Sequence, residues 1–316
     1  MRGKILVIRG GAIGDFILTL PAIAALRGQF PEAHLEVLGY PHIIGLAQAA
    51  GLVDRIQAIE ARPLAGFFAR HGELAEDWVD YFSEFDLILS YLYDPDGIFE
   101  ANVRRCTNRQ FVAGPHRPQE NASLHASKVY LKPLERLAIF DADPVPRLTF
   151  NPQSAISRPL VVHPGSGSES KNWPEEKWAE LLQQLAEKSD FNFLLIGGEA
   201  EGDRLQRLSR SALAGVPAAR VHLAQNRPLV ELARWMQNGQ LFIGHDSGIS
   251  HLAAALGLPG LLLWASASEE IWRPPSPRIT VLRYAKGLAN LPASVVVNQL
   301  RQIMGALGKP ALSSDR

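Results

Sequence analysis

Short apolar runs rich in branched residues alternate with helical patterns along nearly the whole chain. In the first half these runs are Lys4 to Arg9, Leu35 to Leu38, Arg55 to Ile59, Asp86 to Ser90 and Gln110 to Val112. Helical patterns fall between them, at Phe16 to Phe30 and near residues 43–50, 73–84 and 98–105. A run such as KILVIR, apolar at consecutive positions, suits a strand covered on both faces, as in a parallel sheet. Parallel neighbours need a crossover connection, and each strand–helix repeat supplies one. The expected class is therefore α/β with doubly wound parallel sheets. Pro21 falls inside the first helical pattern, so a kink there, or a second helix starting at it, is expected.

A chain of 316 residues is long for one core, which makes two domains the expectation. Pro144, Pro146, Pro152 and Pro159 crowd a stretch of little periodicity, a linker composition. The boundary is placed there, giving a first domain over residues 1–150 and a second over 151–316. The second begins with Leu160 to His163 and continues with strands at Phe191 to Ile196, Leu241 to Ile243 and Leu261 to Trp264. Behind Pro174, Trp178, Leu181, Leu182 and Leu185 recur on one helical face. A last helix, about 294–308, is apolar at Val297, Leu300, Ile303 and Met304 and is expected to pack back on the first domain.

Charge and cysteine usage remove several classes. Lys+Arg and Asp+Glu both number 32, so the basic excess of a nucleic-acid binder is missing. Cys106 stands alone, which excludes an internal disulfide and a thiolate zinc cluster. No apolar run approaches the roughly 18–20 residues of a membrane span. Met1-Arg2-Gly3-Lys4 leads into the first strand without a signal-peptide pattern, so a cytoplasmic protein is expected, with attachment to a membrane surface left open.

The chemistry-bearing residues gather where strands end. After the first strand comes Gly10-Gly11-Ala12-Ile13-Gly14-Asp15. Arg9 stands where a dinucleotide fingerprint has its first glycine, and the second strand ends at Gly39-Tyr40 rather than at a ribose-binding acid. Both departures count against a nicotinamide or flavin enzyme. Asp15 has two readings, a helix cap or a carboxylate at a ligand-binding strand end. After Leu160 to His163 comes Pro164-Gly165-Ser166-Gly167-Ser168-Glu169-Ser170-Lys171, a plausible phosphate cradle that does not satisfy the P-loop pattern. Lys171 is either a phosphate ligand or a surface lysine. Glu199 and Glu201 follow Gly197-Gly198 and suit either ribose hydroxyls or a helix dipole.

The stretch His245-Asp246-Ser247-Gly248-Ile249-Ser250-His251-Leu252 turns from a strand into an Ala/Leu-rich helix. Such a helix start offers unpaired N–H groups and the positive end of the dipole to an anion, although Asp246 or Ser247 also suits a plain cap. Gly165-Ser166, Gly198 and Asp246-Ser247 are expected to line one crevice. Residues 73–100 carry nine acids and no Lys or Arg. Residues 101–140 then hold Arg104, Arg105, Arg109, Arg117, Lys128, Lys132 and Arg136 against two acids. That block is a solvated face or a dock for an anionic substrate.

Four pieces, KILVIRGGAIGD, HPGSGSESKNWPEEKW, LIGGEAE and GHDSGISHLAAALG, resemble glycosyltransferase family 9, the heptosyltransferases of lipopolysaccharide inner-core synthesis. The resemblance runs from Lys4 to about Trp264. It implies the GT-B fold, two Rossmann-like domains facing a central cleft, with the acceptor on the first and the nucleotide sugar on the second. It also implies an inverting, metal-independent transferase whose donor is an ADP-sugar, typically ADP-heptose, with no resident cofactor and no metal site. The family's general base corresponds to Asp15 and its diphosphate lysine to Lys171, preceded by Ser166 and Gly167. The D-[ST]-G-x-x-H motif corresponds to Asp246, Ser247, Gly248 and His251, with Ile249 between, and the nucleoside-side acid to Glu199 or Glu201.

On the acceptor side the expected residues are Arg9, Gly11, Arg104, Arg105, Arg109 and Arg117, suited to an anionic glycolipid or glycan. The expected protein is a monomer, touching the cytoplasmic face of the inner membrane at most peripherally. WASASEEIWRPPSP departs from the family's Gly-Pro-Thr-Asp-like turn and leaves the donor open. The competing readings are a non-catalytic nucleotide-sugar or glycan-binding protein of the same fold and an NAD-dependent nucleotide-sugar-modifying enzyme.

Overall fold

The computed structural model describes residues 3–120, 123–151 and 156–308. Met1, Arg2 and Pro152 of the Pro-rich stretch lie outside the described residues. The chain divides into two compact units: Met1–Leu148 with Glu270–Trp272, and Thr149–Glu269 with Arg273–Arg316.

The first unit threads β1 (Lys4–Arg9), α1 (Ile13–Gln29), β2 (His34–Gly39), α2 (Pro41–Ala49), β3 (Arg55–Ala58), α3 (Glu76–Ser83), β4 (Leu87–Ser90), α4 (Ile98–Arg104), β5 (Gln110–Ala113) and α5 (Ala126–Leu131). All of its strand pairs are parallel, in the order β3-β2-β1-β4-β5. β1 is central, which is why KILVIR is apolar on both faces and buried from Ile5 onward. Gly39 pairs with Arg9, and a Cβ on Gly39 would lie 2.4 Å from the Arg9 carbonyl oxygen. Only glycine allows β1 and β2 to close there. An aromatic cluster of Phe67, Trp78, Phe82, Phe85 and Phe99 packs with Leu6, Ile8 and Ile88 of the sheet.

Pro21 neither ends α1 nor begins a second helix, because one helix runs from Ile13 to Gln29. Losing one backbone hydrogen bond at Pro21 is offset by burial on every side, since Phe16, Ile17, Leu20 and Ile23 are inaccessible to solvent. Each such side chain contributes about 1.5–3 kcal/mol.

The second unit has the order β11-β10-β9-β6-β7-β8, again with parallel pairs throughout. Its elements are β6 (Leu160–Val162), α6 (Glu175–Lys188), β7 (Phe193–Gly197), α7 (Gly202–Ala212), β8 (Val221–Gln225), α8 (Leu229–Met236), β9 (Leu241–His245), α9 (Gly248–Ala255), β10 (Gly260–Leu263), β11 (Ile279–Leu282) and α11 (Ala293–Ala306), while the short α10 (Glu269–Trp272) between β10 and β11 belongs, after its first residue, to the first unit. Trp173, Trp178, Leu181, Leu182 and Leu185 join the sheet residues in one core, and Val297, Leu300 and Met304 of α11 enter the same core.

Two histidines are sealed at the carboxyl ends of β6 and β9. His245 Nε2 accepts the Trp173 N–H at 2.8 Å, and Nδ1 donates to the Gly165 carbonyl at 3.2 Å, which assigns the Nδ1–H tautomer. His163 Nδ1 lies 3.3 Å from Ser247 Oγ. Burial holds the His245 pKa down at about 4; the bond to Gly165 opposes this, Arg204 adds to it and Asp246 opposes it. His163 sits at about 3, through burial first and the neighbouring His245 second.

Unfolded, both rings protonate near pH 6.5, whereas folded they stay neutral well below that. Their contribution to stability is therefore present above about pH 6.5 and is lost as the pH falls through it toward the folded values. We expect the urea midpoint, followed by tryptophan fluorescence, to fall more steeply between about pH 6.5 and 4.5 in the parent than in His245→Gln. Equal slopes would refute the assignment.

Candidate functional site

In the first unit the strand order reverses between β1 and β4, the position at which open α/β sheets bind ligands beyond their carboxyl ends. The loop after β1 turns at Gly11, whose φ of +102° is a glycine conformation. It delivers Asp15 into the first turn of α1. Asp15 Oδ2 accepts the Ala12 N–H at 3.2 Å, so the capping role read from the sequence is real. The carboxylate also has a second neighbour: Oδ1 lies 3.6 Å from Arg9 Nη2, and the side chain keeps 28% of its surface exposed. The carboxylate is thus bonded to backbone on one side, faces a guanidinium on the other and is open to solvent at one edge.

Of the acceptor-side arginines only Arg9 and Arg117 stand at the Asp15 end of the sheet. Arg9 is inside the wall, with a side chain only 2% exposed. Its guanidinium donates to the carbonyls of His116 at 2.8 Å, Tyr91 at 3.3 Å and Asp15 at 3.4 Å, and lies 4.6 Å from the centre of the Tyr130 ring. Arg109 directly precedes β5 and lies 3.6 Å from Asp86, which directly precedes β4. Both therefore stand at the amino edge of the parallel sheet, the edge opposite Asp15. Arg104 and Arg105 end α4, which returns from the carboxyl end of β4 to that same edge. Arg104 pairs with Glu100 at 2.8 Å, and Arg105 donates to the Gly72 carbonyl at 3.0 Å. The expectation that these three share an acceptor site with Asp15 is corrected by the direction of α4. Gly11 and Arg117 stay on the Asp15 side. Arg117 follows β5, pairs with Glu120 at 3.4 Å and lies over the Trp272 ring of the same unit at 5.3 Å.

His116 and Tyr93 join this end of the sheet without having been read from the sequence. Their rings meet edge to face at 4.5 Å. Burial, then Arg9 and Arg117, hold the His116 pKa below the usual histidine range, with Asp15 opposing. Neither residue belongs to a motif, and only the adjacency of the loops after β4 and β5 reveals them.

In the second unit the order reverses between β6 and β9, and their carboxyl-end loops are neighbours. Lys171, in a short 3₁₀ turn, donates to Asp246 Oδ2 at 2.7 Å; the side chains are 35% and 12% exposed. Ser247 caps α9 by accepting the Ser250 N–H, so of the two capping candidates Ser247 holds that role and Asp246 is given to Lys171. The first-turn N–H groups of Gly248 and Ile249 have no acceptor within a helix that starts at Gly248.

Ser166 is buried and donates to the Ser168 carbonyl at 2.8 Å, while the Cα of Gly167 faces open space. Glu201 is buried, accepts the Gly198 N–H at 2.9 Å and fills the place of a side chain at Gly165, where a Cβ would meet its Cγ at 2.1 Å. Glu199 is exposed. His251 is buried on α9. The strand-end loops of β6, β7 and β9 are thus brought to one place. His245, unassigned from the sequence, ties both ends of the Lys171 loop to β9 through Gly165 and Trp173.

Among the described residues no group of three or more His, Cys, Asp or Glu is arranged to hold a metal ion, and no helix is long and apolar enough to cross a membrane.

Residues 119–296 match the family model described as glycosyltransferase family 9 (heptosyltransferase). The chain is 33% identical over 301 residues to lipopolysaccharide heptosyltransferase 1 of Pseudomonas aeruginosa, covering 83% of this chain and 78% of that protein. Among solved structures, ADP-heptose lipopolysaccharide heptosyltransferase II of Escherichia coli superposes with a TM-score of 0.76 at 16% identity, covering 96% of this chain and 99% of that one. An E. coli heptosyltransferase solved with ADP superposes with a TM-score of 0.73 at 18% identity, covering 95% and 99%. Those structures share the fold, GT-B, with its two Rossmann-like units. The match over more than half the chain, together with the Pseudomonas relative, places this protein in glycosyltransferase family 9: it is a glycosyltransferase.

Proposed function

We propose that this glycosyltransferase moves a heptose, or a closely related sugar, from an ADP-sugar to a lipopolysaccharide inner-core or similar anionic glycan acceptor, inverting the anomeric centre without a divalent ion. The first unit takes the acceptor and the second the donor. The observation that carries the reading is the pairing of Lys171 with Asp246 at the start of α9, where two strand ends meet. The names of the Pseudomonas and E. coli relatives, which act in heptose transfer, support the donor class. In this reading the work is done in the cytoplasm by a monomer, with no contact with the membrane beyond a peripheral one at its inner surface.

The chemistry follows from the side chains. An acceptor hydroxyl gives its proton to the Asp15 carboxylate as its oxygen bonds to the anomeric carbon. The bond from that carbon to the diphosphate breaks, and its electron pair leaves with ADP. Lys171 and the N–H groups of Gly248 and Ile249 offset the charge that grows on the leaving group, which is the task a divalent ion performs elsewhere. Ser166, Gly167, Ser247 and His251 shape the same cradle. The Glu199–Glu201 turn serves the nucleoside side, and Arg117, with Gly11, serves the acceptor side.

Titration calorimetry with ADP, UDP, GDP, CMP and NAD, with and without EDTA, tests the donor site. We expect selective ADP binding that EDTA leaves intact. Lys171→Ala should weaken ADP about ten- to a hundredfold, on the order of 1.5–3 kcal/mol for a charge-assisted contact. An unchanged affinity removes Lys171 from the site. Asp15→Asn should lower transfer by about 10²–10⁴-fold while ADP affinity stays nearly the same. Equal loss of both would mean that Asp15 is a cap only. Transfer retained at the parental rate would remove Asp15 as the base.

A further inference from the structure

We infer that Arg9 is a positioning residue for Asp15, an inference that rests on Asp15 taking the acceptor proton. Arg9 ends a strand that is otherwise apolar after Lys4, and a buried guanidinium is costly unless its donors are bonded and its charge is compensated. The walls around Asp15 bond both terminal nitrogens and set a carboxylate beside the charge, while the buried Nε–H has no partner among the described residues. Nη1 bonds the carbonyls of His116 and Tyr91, so it joins the loops after β5 and β4. Nη2 bonds the Asp15 carbonyl and lies 3.6 Å from Asp15 Oδ1. The Tyr130 and Tyr91 rings lie 4.6 and 5.9 Å from the guanidinium carbon. The other ionisable neighbours on this side are His116, which faces Tyr93, and Arg117.

The carboxylate thereby has a partner for each oxygen, a hydrogen bond from the Ala12 N–H on Oδ2 and the Arg9 charge 3.6 Å from Oδ1. Rotation about the Cα–Cβ bond of Asp15 would carry the carboxylate away from both partners. A proton acceptor works only within hydrogen-bond reach of the attacking hydroxyl, and a misplacement of about 1 Å costs on the order of 10²-fold in rate. Arg9 also fixes the Asp15 carbonyl and the two neighbouring loops, so it sets where the carboxylate stands relative to the rest of the strand ends. An acceptor phosphate cannot be its partner in this arrangement, because the side chain is 2% exposed and both terminal nitrogens are engaged.

The test is a double-mutant cycle. Transfer from ADP-heptose to de-O-acylated lipopolysaccharide of a heptose-deficient strain is measured for the parent, Arg9→Gln, Arg9→Lys, Asp15→Asn and Arg9→Gln/Asp15→Asn. ADP affinity and Tm are recorded for each. We expect Arg9→Gln to lower kcat by about 10–10²-fold with donor KM and ADP affinity unchanged. Arg9→Lys, which keeps the charge, should recover part of the loss.

Because Arg9 acts through Asp15, the double variant should be no slower than Asp15→Asn alone. Losses that multiply in the double variant, or a folded Arg9→Gln enzyme with parental kcat, overturn the inference and leave the Asp15 reading intact. Parental transfer by Asp15→Asn overturns the Asp15 reading itself. Should Arg9→Gln fail to fold, the same cycle is closed with Arg9→Lys, where multiplying losses again overturn the inference.

Discussion

Parallel pairing of neighbouring strands in both sheets sends every strand's carboxyl end to one edge, and the residues that carry chemistry are those that follow the strands. Register then decides which of them meet. Arg9 lies level with Gly39, and Ile8 with Ser90, so the loops that begin at Gly10 and Tyr91 leave the sheet side by side. Val162 lies level with Ile243, and His163 N–H bonds the Ile243 carbonyl at 2.9 Å. From that adjacency Lys171 and Asp246, separated by 75 positions in the chain, come within 2.7 Å. Neither loop needs secondary structure of its own to find the other, because the hydrogen-bonded ladder has already aligned their roots.

Loops rooted side by side still have to be held, and each unit uses one buried polar side chain for this. His245 takes the Trp173 N–H and gives its own N–H to Gly165, closing the loop that carries Lys171 against β9. Arg9 gives its terminal donors to Tyr91, His116 and Asp15, with Nε–H left unbonded among the described residues. A hydrogen bond of this kind contributes a net of about 0.5–1.5 kcal/mol, while an unmet buried partner costs about 1–3 kcal/mol. The asymmetry means that these side chains contribute less to total stability than to the choice of one loop arrangement over its alternatives. The two solutions differ in charge. Burial keeps His245 neutral, with a pKa of about 4, whereas the Arg9 guanidinium needs a carboxylate beside it, and Asp15 is that carboxylate.

The central strands were legible because burial on both faces leaves an unbroken apolar run, as in KILVIR and FLLIG. β8 (VHLAQ) and β11 (ITVL) escaped for the opposite reason. They are the two edges of the second sheet and are mostly half-buried, so their composition does not stand out from a loop. In the site, Asp15, Lys171 and Asp246 were readable because each follows a strand within a glycine- or serine-bearing turn. The basic block from Arg104 to Arg117 misled, since linear charge does not say to which edge of a sheet a helix returns its end. Arg104, Arg105 and Arg109 were carried to the amino edge and Arg117 to the carboxyl edge by a few residues of chain. The roles of His116 and His245 could not be read at all, because they consist of contacts between loops whose adjacency exists only in the folded order of strands.

An acid at the centre of a proposed anion site calls for a physical account, and the ion pair supplies one. Lys171 sits on a three-residue turn, and a free lysine there would lose much rotamer entropy on meeting a diphosphate. Asp246 holds the ammonium at the start of α9 beforehand, at 2.7 Å, which lowers that cost. The carboxylate then works against the incoming phosphates, but its negative charge is opposed by the ammonium it already holds and by the positive end of α9. The first-turn N–H groups of Gly248 and Ile249 remain for the ligand because Ser247, rather than Asp246, caps the helix at Ser250. In the proposed reading, a mononucleotide cradle is obtained without a metal by spending one carboxylate on the placement of one lysine and leaving the helix end unspent.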